Sequence, residues 1–332
     1  MPELRQNIAT KEWVIIASER AKRPNSYTEP KDRTITEDRL PHDPTCPFCI
    51  GNEERDLEIE SFPDPDNWQT RVVKNKYPAL AGEGLPVRIV DGVHRRIDGV
   101  GYHEVVVLHP SHNTTLALMQ PHEIQAGLET MQRRGREIAR DQRIEQIIMF
   151  KNHGERAGAS LVHPHSQIVA LPVVPSSIRS RLLEARRYFD DTGMCVFSVM
   201  LEDELSHGSR LVTVSDYFVA FSLYAAASPF HIWIIPRHGG ASFLDATTEE
   251  MADLGVVLRD VLYRIYVGLR DPDYNLVVRS APAKDRGNCY FRWYLTLIPR
   301  LSRMAGFELG SGMHINPTLP EGCAAFLRDL DV

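Results

Sequence analysis

Three things are scarce in this chain: cysteine, long apolar runs and positive charge. Its 332 residues hold five cysteines (Cys46, Cys49, Cys195, Cys289 and Cys323), an odd and sparse set that argues against a disulfide framework. No apolar run approaches the roughly 18 residues of a membrane span. The opening MPELRQNIATKEWVIIAS has no stretch long enough for a secretory signal. A cytoplasmic protein without a membrane partner is therefore expected. The 38 Lys and Arg are outnumbered by 44 Asp and Glu, for a formal charge of −6. That is the wrong sign for a general nucleic-acid binder. It leaves room for a small anionic substrate, because a local Arg and Lys cluster can sit within an acidic average.

What is present reads as an ordinary globular protein, 43% hydrophobic and 25% charged. Its length suits two domains of about 150 residues. Two stretches share one order of features. The first runs from Gly101 through His112, Thr114-Thr-Leu and an amphipathic stretch over 121–140, to the apolar strand Gln146–Phe150 and the segment His163–Pro172. The second runs from Phe230 through His238, Ser242-Phe-Leu and an amphipathic stretch over 248–269, to Tyr274–Val278 and Tyr290–Pro299. Apolar residues alternate in the strands and recur at three and four in the helices, as at Ile124, Leu128 and Met131 or Leu254, Val257 and Leu258. The expectation is an α+β protein of two similar halves, each an antiparallel sheet with helices packed on it. We place the halves at 1–178 and 179–332, with the boundary within 173–190. Strands at 13–17, 70–73, 210–215 and 217–221 would complete the sheets, and 18–45 and 51–69 read as surface loops.

Cys46-Pro-Phe-Cys49 has the spacing of two corners of a tetrahedral zinc site. His112 and His163 would supply the other two, with His109 as a weaker rival to His112. A closed Cys2His2 set of this kind is structural.

In His163-Pro164-His165-Ser166-Gln167 the two imidazoles stand two apart, so on a strand they share a face. With His163 held by zinc, its carbonyl can accept the Nδ1 proton of His165 and leave Nε2 as a free lone pair. Such an imidazole suits attack on phosphorus and departs again easily. Gln167, on the same face, can donate to the phosphate oxygens where charge builds. Upstream, Asn152-His-Gly154 and Gly158-Ala-Ser160 form a small-residue loop whose amides and Ser160 hydroxyl suit a phosphate.

These motifs together resemble the galactose-1-phosphate uridylyltransferases, a branch of the histidine-triad (HIT) superfamily. Cys46-x-x-Cys49, His112 before Thr-Leu, Asn152, Ser160 and His163-Pro-His165-Ser-Gln167 stand in that family's order. So do the opening Trp13–Pro24 and the tail Ala305–Pro317, and the match spans nearly the whole chain. The resemblance implies two tandem HIT-like halves and a ping-pong uridylyl transfer from UDP-glucose to galactose-1-phosphate through His165. It also implies that Arg20 and Arg23 meet the substrate phosphates, that Asn75 and Asn152 lie by the substrate, that Glu308 of the tail joins them, and that a homodimer completes the site.

The sequence departs from the family at two places. Where many relatives hold a second metal, this chain has Ser198, Arg292 and Tyr294, so one structural zinc and no second metal is expected, with Arg292 filling the space. Ser166 replaces the usual glycine, a form found among ADP-glucose phosphorylase relatives, and that opens the choice of base and acceptor. An adenylyltransferase using the same histidine is thus the main alternative. A nucleotide-binding protein without turnover and a simple histidine-triad hydrolase are the others.

Overall fold

The structure is a computed structural model that describes residues 1–22 and 34–332. Its strands are β1 (Glu3–Gln6), β2 (Trp13–Ile16), β3 (Glu58–Phe62), β4 (Thr70–Lys74), β5 (Arg88–Asp91), β6 (His94–Ile97), β7 (Tyr102–Val107), β8 (Gln146–His153), β9 (His165–Leu171), β10 (Leu211–Val214), β11 (Phe218–Ser222), β12 (Ile232–Pro236), β13 (Tyr274–Arg279), β14 (Tyr294–Pro299) and β15 (His314–Asn316). Its helices are α1 (Pro121–Ile138), α2 (Ser176–Thr192), α3 (Val196–His207), α4 (Thr248–Leu269), α5 (Gly306–Ser311) and α6 (Pro320–Arg328).

The fold is α+β with two HIT-like halves, but their sheets are not separate. Ten strands form one sheet in the order β10-β11-β12-β14-β13-β8-β9-β7-β4-β3. The first five come from the second half and the last five from the first. They meet where β13 pairs antiparallel with β8, from Tyr274↔His153 to Val278↔Met149. Joining there removes two inner edges whose backbone groups would otherwise lack partners.

Helices cover one face. Pro121 opens α1 and Glu123 closes a capping box on Gln120, while Thr247 and Glu250 do the same for α4. Ile124, Leu128 and Met131 of α1 and Leu254, Val257, Leu258 and Val261 of α4 are buried against Ile168, Leu276 and Leu295 of the sheet. Each such side chain contributes roughly 1.5–3 kcal/mol relative to exposure. The two helices also touch closely: a Cβ at Gly255 would stand 2.6 Å from the carbonyl oxygen of Pro121. The opposite face carries the candidate site in the first half, beneath the segment of Cys46, Phe48 and Cys49. In the second half it is partly covered by α2 and α3, whose Ala185, Val196, Phe197 and Leu201 pack on Phe221, Trp233 and Tyr294.

Two segments differ from expectation. The strand at 13–17 does not complete a main sheet but lies in a separate three-stranded sheet, β1-β2-β15. The supposed loop 51–69 contains β3, paired with β4 at the sheet edge. Its burial is only partial, so its apolar alternation is faint. Helix α2 runs through the stretch expected to hold the boundary. No helix among the described residues is long and apolar enough to cross a membrane.

Candidate active site

Strand alternation sorts β9 into two sets. Ser166, Ile168 and Ala170 are buried, the last two within the core beneath the helices. His165 and Gln167 therefore take the opposite face. β7 flanks them on one side, with Val107 opposite His165 and Val105 opposite Gln167.

The Cys46–Cys49 knuckle lies against this face. One ligating atom from each of Cys46, Cys49, His112 and His163 lies within 4.8 Å of the others, and all four residues are buried. Nε2 of His163 is 2.8 Å from the His109 carbonyl. A carbonyl only accepts, so Nε2 carries the proton and the Nδ1 lone pair is free. That Nδ1 faces Cys49 Sγ at 3.6 Å, and Nδ1 of His112 faces the same sulfur at 3.5 Å. Burial holds the Cys46 thiol up at about 11 and His163 down at about 3. Two thiols that gain from a cation and two neutral imidazoles are the donor set of a structural zinc site, so the residues fit the ion. The rival His109 is excluded as a ligand. Its ring accepts from the Ser111 N–H at 2.9 Å and meets Glu123 Oε1 at 3.2 Å, so only its carbonyl serves the site.

His163 also orients its neighbour. Nδ1 of His165 donates to the His163 carbonyl at 2.8 Å, which leaves Nε2 as the lone-pair nitrogen. Burial, with the Lys151 ammonium as a second cause, lowers His165 to about 4, so the ring is unprotonated at neutral pH. The Phe48 ring packs on it with centroids 5.5 Å apart.

Gln167 is aligned by a residue the motif reading did not single out. The Ala79 backbone N–H donates to Nδ1 of His103 at 3.1 Å, so in neutral His103 the proton is on Nε2. That nitrogen donates to Gln167 Oε1 at 2.8 Å. The Gln167 carbonyl is thereby occupied and its NH2 is left to face a ligand. Asn75 Nδ2 lies 3.1 Å from the same His103 nitrogen; both carry N–H groups, so Asn75 is a neighbour of the pair and not a hydrogen-bond partner in it. No local pattern marks His103: its value lies in a contact 64 positions away.

The loop after β8 is fixed by the seam between the halves. Asn152 Oδ1 accepts from Asn275 Nδ2 at 2.7 Å, while its own Nδ2 has only a long 3.5 Å contact with the Gly158 carbonyl. Gly154 sits at φ +82°, where a Cβ would strike the Asp273 carboxylate. Ser160 is exposed and lines a cavity of about 540 Å³ with Gly154, Arg156 and Ala159; His165 is not among its walls.

The structure thus brings His165, Gln167 and Asn75 together on the first half, with Asn152 on the neighbouring strand. Arg20 and Glu308 belong elsewhere in the chain. Arg20 follows β2 of the three-stranded sheet, and Glu308 lines a cavity on the second half with Tyr294 and Thr296. Arg23 lies outside the described residues. Ser166 faces away from the site, in a pocket of about 30 Å³ with Lys151, Leu128 and Leu258. Lys151 donates to the His165 carbonyl at 3.2 Å, and burial lowers it to about 7. In the second half, Arg292 donates to Ser198 Oγ at 2.9 Å and to the carbonyls of Pro236 and Arg237 at 3.2 and 3.0 Å.

Comparison with known proteins places these features in context. Residues 1–175 match the family model described as galactose-1-phosphate uridyl transferase, N-terminal domain. ADP-glucose phosphorylase of Arabidopsis thaliana is 37% identical, with 100% of this chain and 93% of that protein covered. Galactose-1-phosphate uridylyltransferase of Thermotoga maritima is 30% identical, with 100% and 99% covered. The crystal structure of the Arabidopsis thaliana ADP-glucose phosphorylase with bound ADP-glucose superimposes with a TM-score of 0.84 at 34% identity, covering 100% of this chain and 99% of that one.

Proposed function

The chain belongs to the galactose-1-phosphate uridylyltransferase family, an enzyme of the hexose-1-phosphate nucleotidyltransferase type, and we propose that it moves a nucleotidyl group through a covalent bond to His165. The observation that carries this is the 2.8 Å bond from His165 Nδ1 to the His163 carbonyl, which presents Nε2 as a neutral nucleophile. In-line attack by Nε2 on the α-phosphorus of a sugar nucleotide forms the N–P bond. The bond from that phosphorus to the bridging oxygen breaks, and the oxygen leaves with its electron pair as the sugar 1-phosphate. An acceptor phosphate oxygen then attacks the same phosphorus and returns the electron pair to Nε2. Throughout, Nδ1 keeps its proton, and the His163 carbonyl stabilises the positive charge the ring takes on. The Gln167 NH2 donates to the non-bridging oxygens as charge builds there.

Cys46, Cys49, His112 and His163 would hold one zinc ion. Its contribution is structural, since four protein ligands close the coordination shell.

For the donor we favour ADP-glucose, with inorganic phosphate as acceptor and ADP as product. The full-length likeness to a plant ADP-glucose phosphorylase supports this, both in sequence and in the structure with ADP-glucose bound. UDP-glucose with galactose-1-phosphate is the second reading, supported by the likeness to the Thermotoga maritima enzyme. In either case, Arg20 and Glu308 would reach the nucleotide from a second copy of the chain, because within one chain Glu308 faces the other half. That is a homodimer with sites completed across its interface.

The test is incubation with ADP-glucose or UDP-glucose labelled at the α-phosphorus, followed by isolation of labelled protein. We expect an acid-labile adduct at His165 from ADP-glucose, discharged by inorganic phosphate, and none in His165→Ala. Labelling by UDP-glucose alone would reverse the order of the two readings. An adduct in His165→Ala would end both.

A further inference from the structure

The face of the sheet opposite α1 and α4 carries two equivalent places. Trp233 pairs with Thr296 as Val105 pairs with Gln167, and Val277 pairs with Thr296 as Phe150 pairs with Gln167. Thr296 therefore stands where Gln167 stands, Tyr294 where His165 stands, and Arg279 where Asn152 stands. The supporting histidine is repeated as well. His231 Nε2 is 2.8 Å from Thr296 Oγ1, as His103 Nε2 is 2.8 Å from Gln167 Oε1.

Above this second place lies a cavity of about 200 Å³ whose lining includes Arg181, Arg279, Arg300, His231, Tyr294 and Thr296. Counting the whole lining, four arginines face two glutamates, in a chain that is acidic overall. Arg279 lines this cavity, and its Nε is buried without a hydrogen-bond partner. Its electrostatic surroundings are the Tyr294 phenol, a second guanidinium at Arg181 and, more weakly, Glu12. Nδ1 of His231 is likewise buried and unpartnered. Arg300 donates to the neutral amide of Asn275, which leaves its charge uncompensated. Buried donors and surplus positive charge are costly unless an anion answers them.

We propose that this cavity is a second small-molecule site that binds a phosphate-bearing anion, either inorganic phosphate or a sugar phosphate, and performs no covalent chemistry on it. Guanidinium groups match the geometry of phosphate oxygens two at a time, and Thr296 with His231 offers the pair that Gln167 and His103 offer in the first half. Tyr294 at the nucleophile position is a buried phenol, which stays protonated at neutral pH and does not attack phosphorus. At about 200 Å³ the space is below the roughly 300 Å³ from which drug-sized sites begin, so it suits phosphate or a phosphosugar better than a whole sugar nucleotide. Glu308, proposed above to reach the nucleotide of a second copy, is one of the cavity's walls, but the anion's own contacts, Arg279, Thr296 and His231, do not depend on which nucleotide His165 accepts.

Counting bound anions tests this. Equilibrium binding of radiolabelled inorganic phosphate, and separately of glucose 1-phosphate, would be measured on the full chain, on Arg279→Met, on Thr296→Val and on Gln167→Ala. The expected result is a binding equivalent that survives Gln167→Ala and weakens at least about tenfold in Arg279→Met. Thr296→Val, a near-isosteric change that guards against misfolding, should weaken the same equivalent by a few-fold. Covalent labelling of His165 should be unchanged in both second-half variants. Binding of either anion at this equivalent supports the site and names the ligand. No binding at millimolar anion overturns the proposal, as does binding indifferent to Arg279→Met and Thr296→Val, or binding abolished by Gln167→Ala. Failure of His165 labelling with this equivalent intact would remove the first-site reading and leave the second site standing.

Discussion

Nε2 of His103 donates to Oε1 of Gln167 across 2.8 Å, and the direction of that bond decides which end of the Gln167 amide meets a substrate. Removal of the amide by Gln167→Ala should lower kcat by about 100-fold, the usual cost of losing one donor to a developing charge. His103→Phe keeps a ring but frees the amide to rotate, and should cost about tenfold. The double variant should be no slower than Gln167→Ala, because both act on one hydrogen bond. Single-turnover rates would show this; additive losses would mean that His103 acts by another route.

The four-residue metal cluster makes a second prediction. Elemental analysis should find one zinc per chain, and Cys49→Ser or His163→Ala should lose it. Because binding energy at such a site is folding energy, the melting temperature should fall by roughly 5–10 °C. A chelator should do the same to the wild type. Full stability without metal would refute the assignment.

Acid stability should report Asp271. Its carboxylate meets His153 Nε2 at 2.7 Å and accepts from the Thr36 N–H and hydroxyl at 2.8 and 2.7 Å. Although burial alone would raise it, these partners hold it down at about 2. A depressed carboxylate stabilises the fold above its unfolded value near 4 and loses that contribution as pH falls through the folded value. Between pH 4 and pH 2 the wild type should therefore lose on the order of 2 kcal/mol. Asp271→Asn should lack this step in its pH–stability curve and be less stable at pH 7.

Ser166→Gly should leave the choice between adenine and uridine donors unchanged. The residue is buried under the helices beside Lys151, so it cannot touch base or acceptor. A change in donor preference, measured as the ratio of kcat/KM for ADP-glucose and UDP-glucose, would show that the motif letter acts through the backbone.

Much of the site was legible in one dimension because its logic is local. A strand turns every second residue to the same side, so His163-x-His165-x-Gln167 implied a shared face before any coordinates. A two-residue gap between cysteines implied a metal knuckle. The amphipathic stretches at 121–140 and 248–269 became α1 and α4 with little change, since caps and apolar stripes are also local signals. Alternation also places Ser166 on the side of the strand opposite His165, so the letter that varies in the motif does not itself face the site.

What the chain alone determined is therefore the family, the α+β class, the zinc-suited quartet and the shared face of His165 and Gln167, all written in spacings of two to four residues. Tertiary structure decided the rest. β13 and β8 join the two expected sheets into one, and β3, with little alternation, finds its place through β4. His103 turns Gln167 from 64 positions away. Glu308 lines the second half's cavity with Tyr294 and Thr296, apart from His165. Each of these depends on which distant strands pair, and backbone pairing across long separations leaves no periodic mark in the segments it joins.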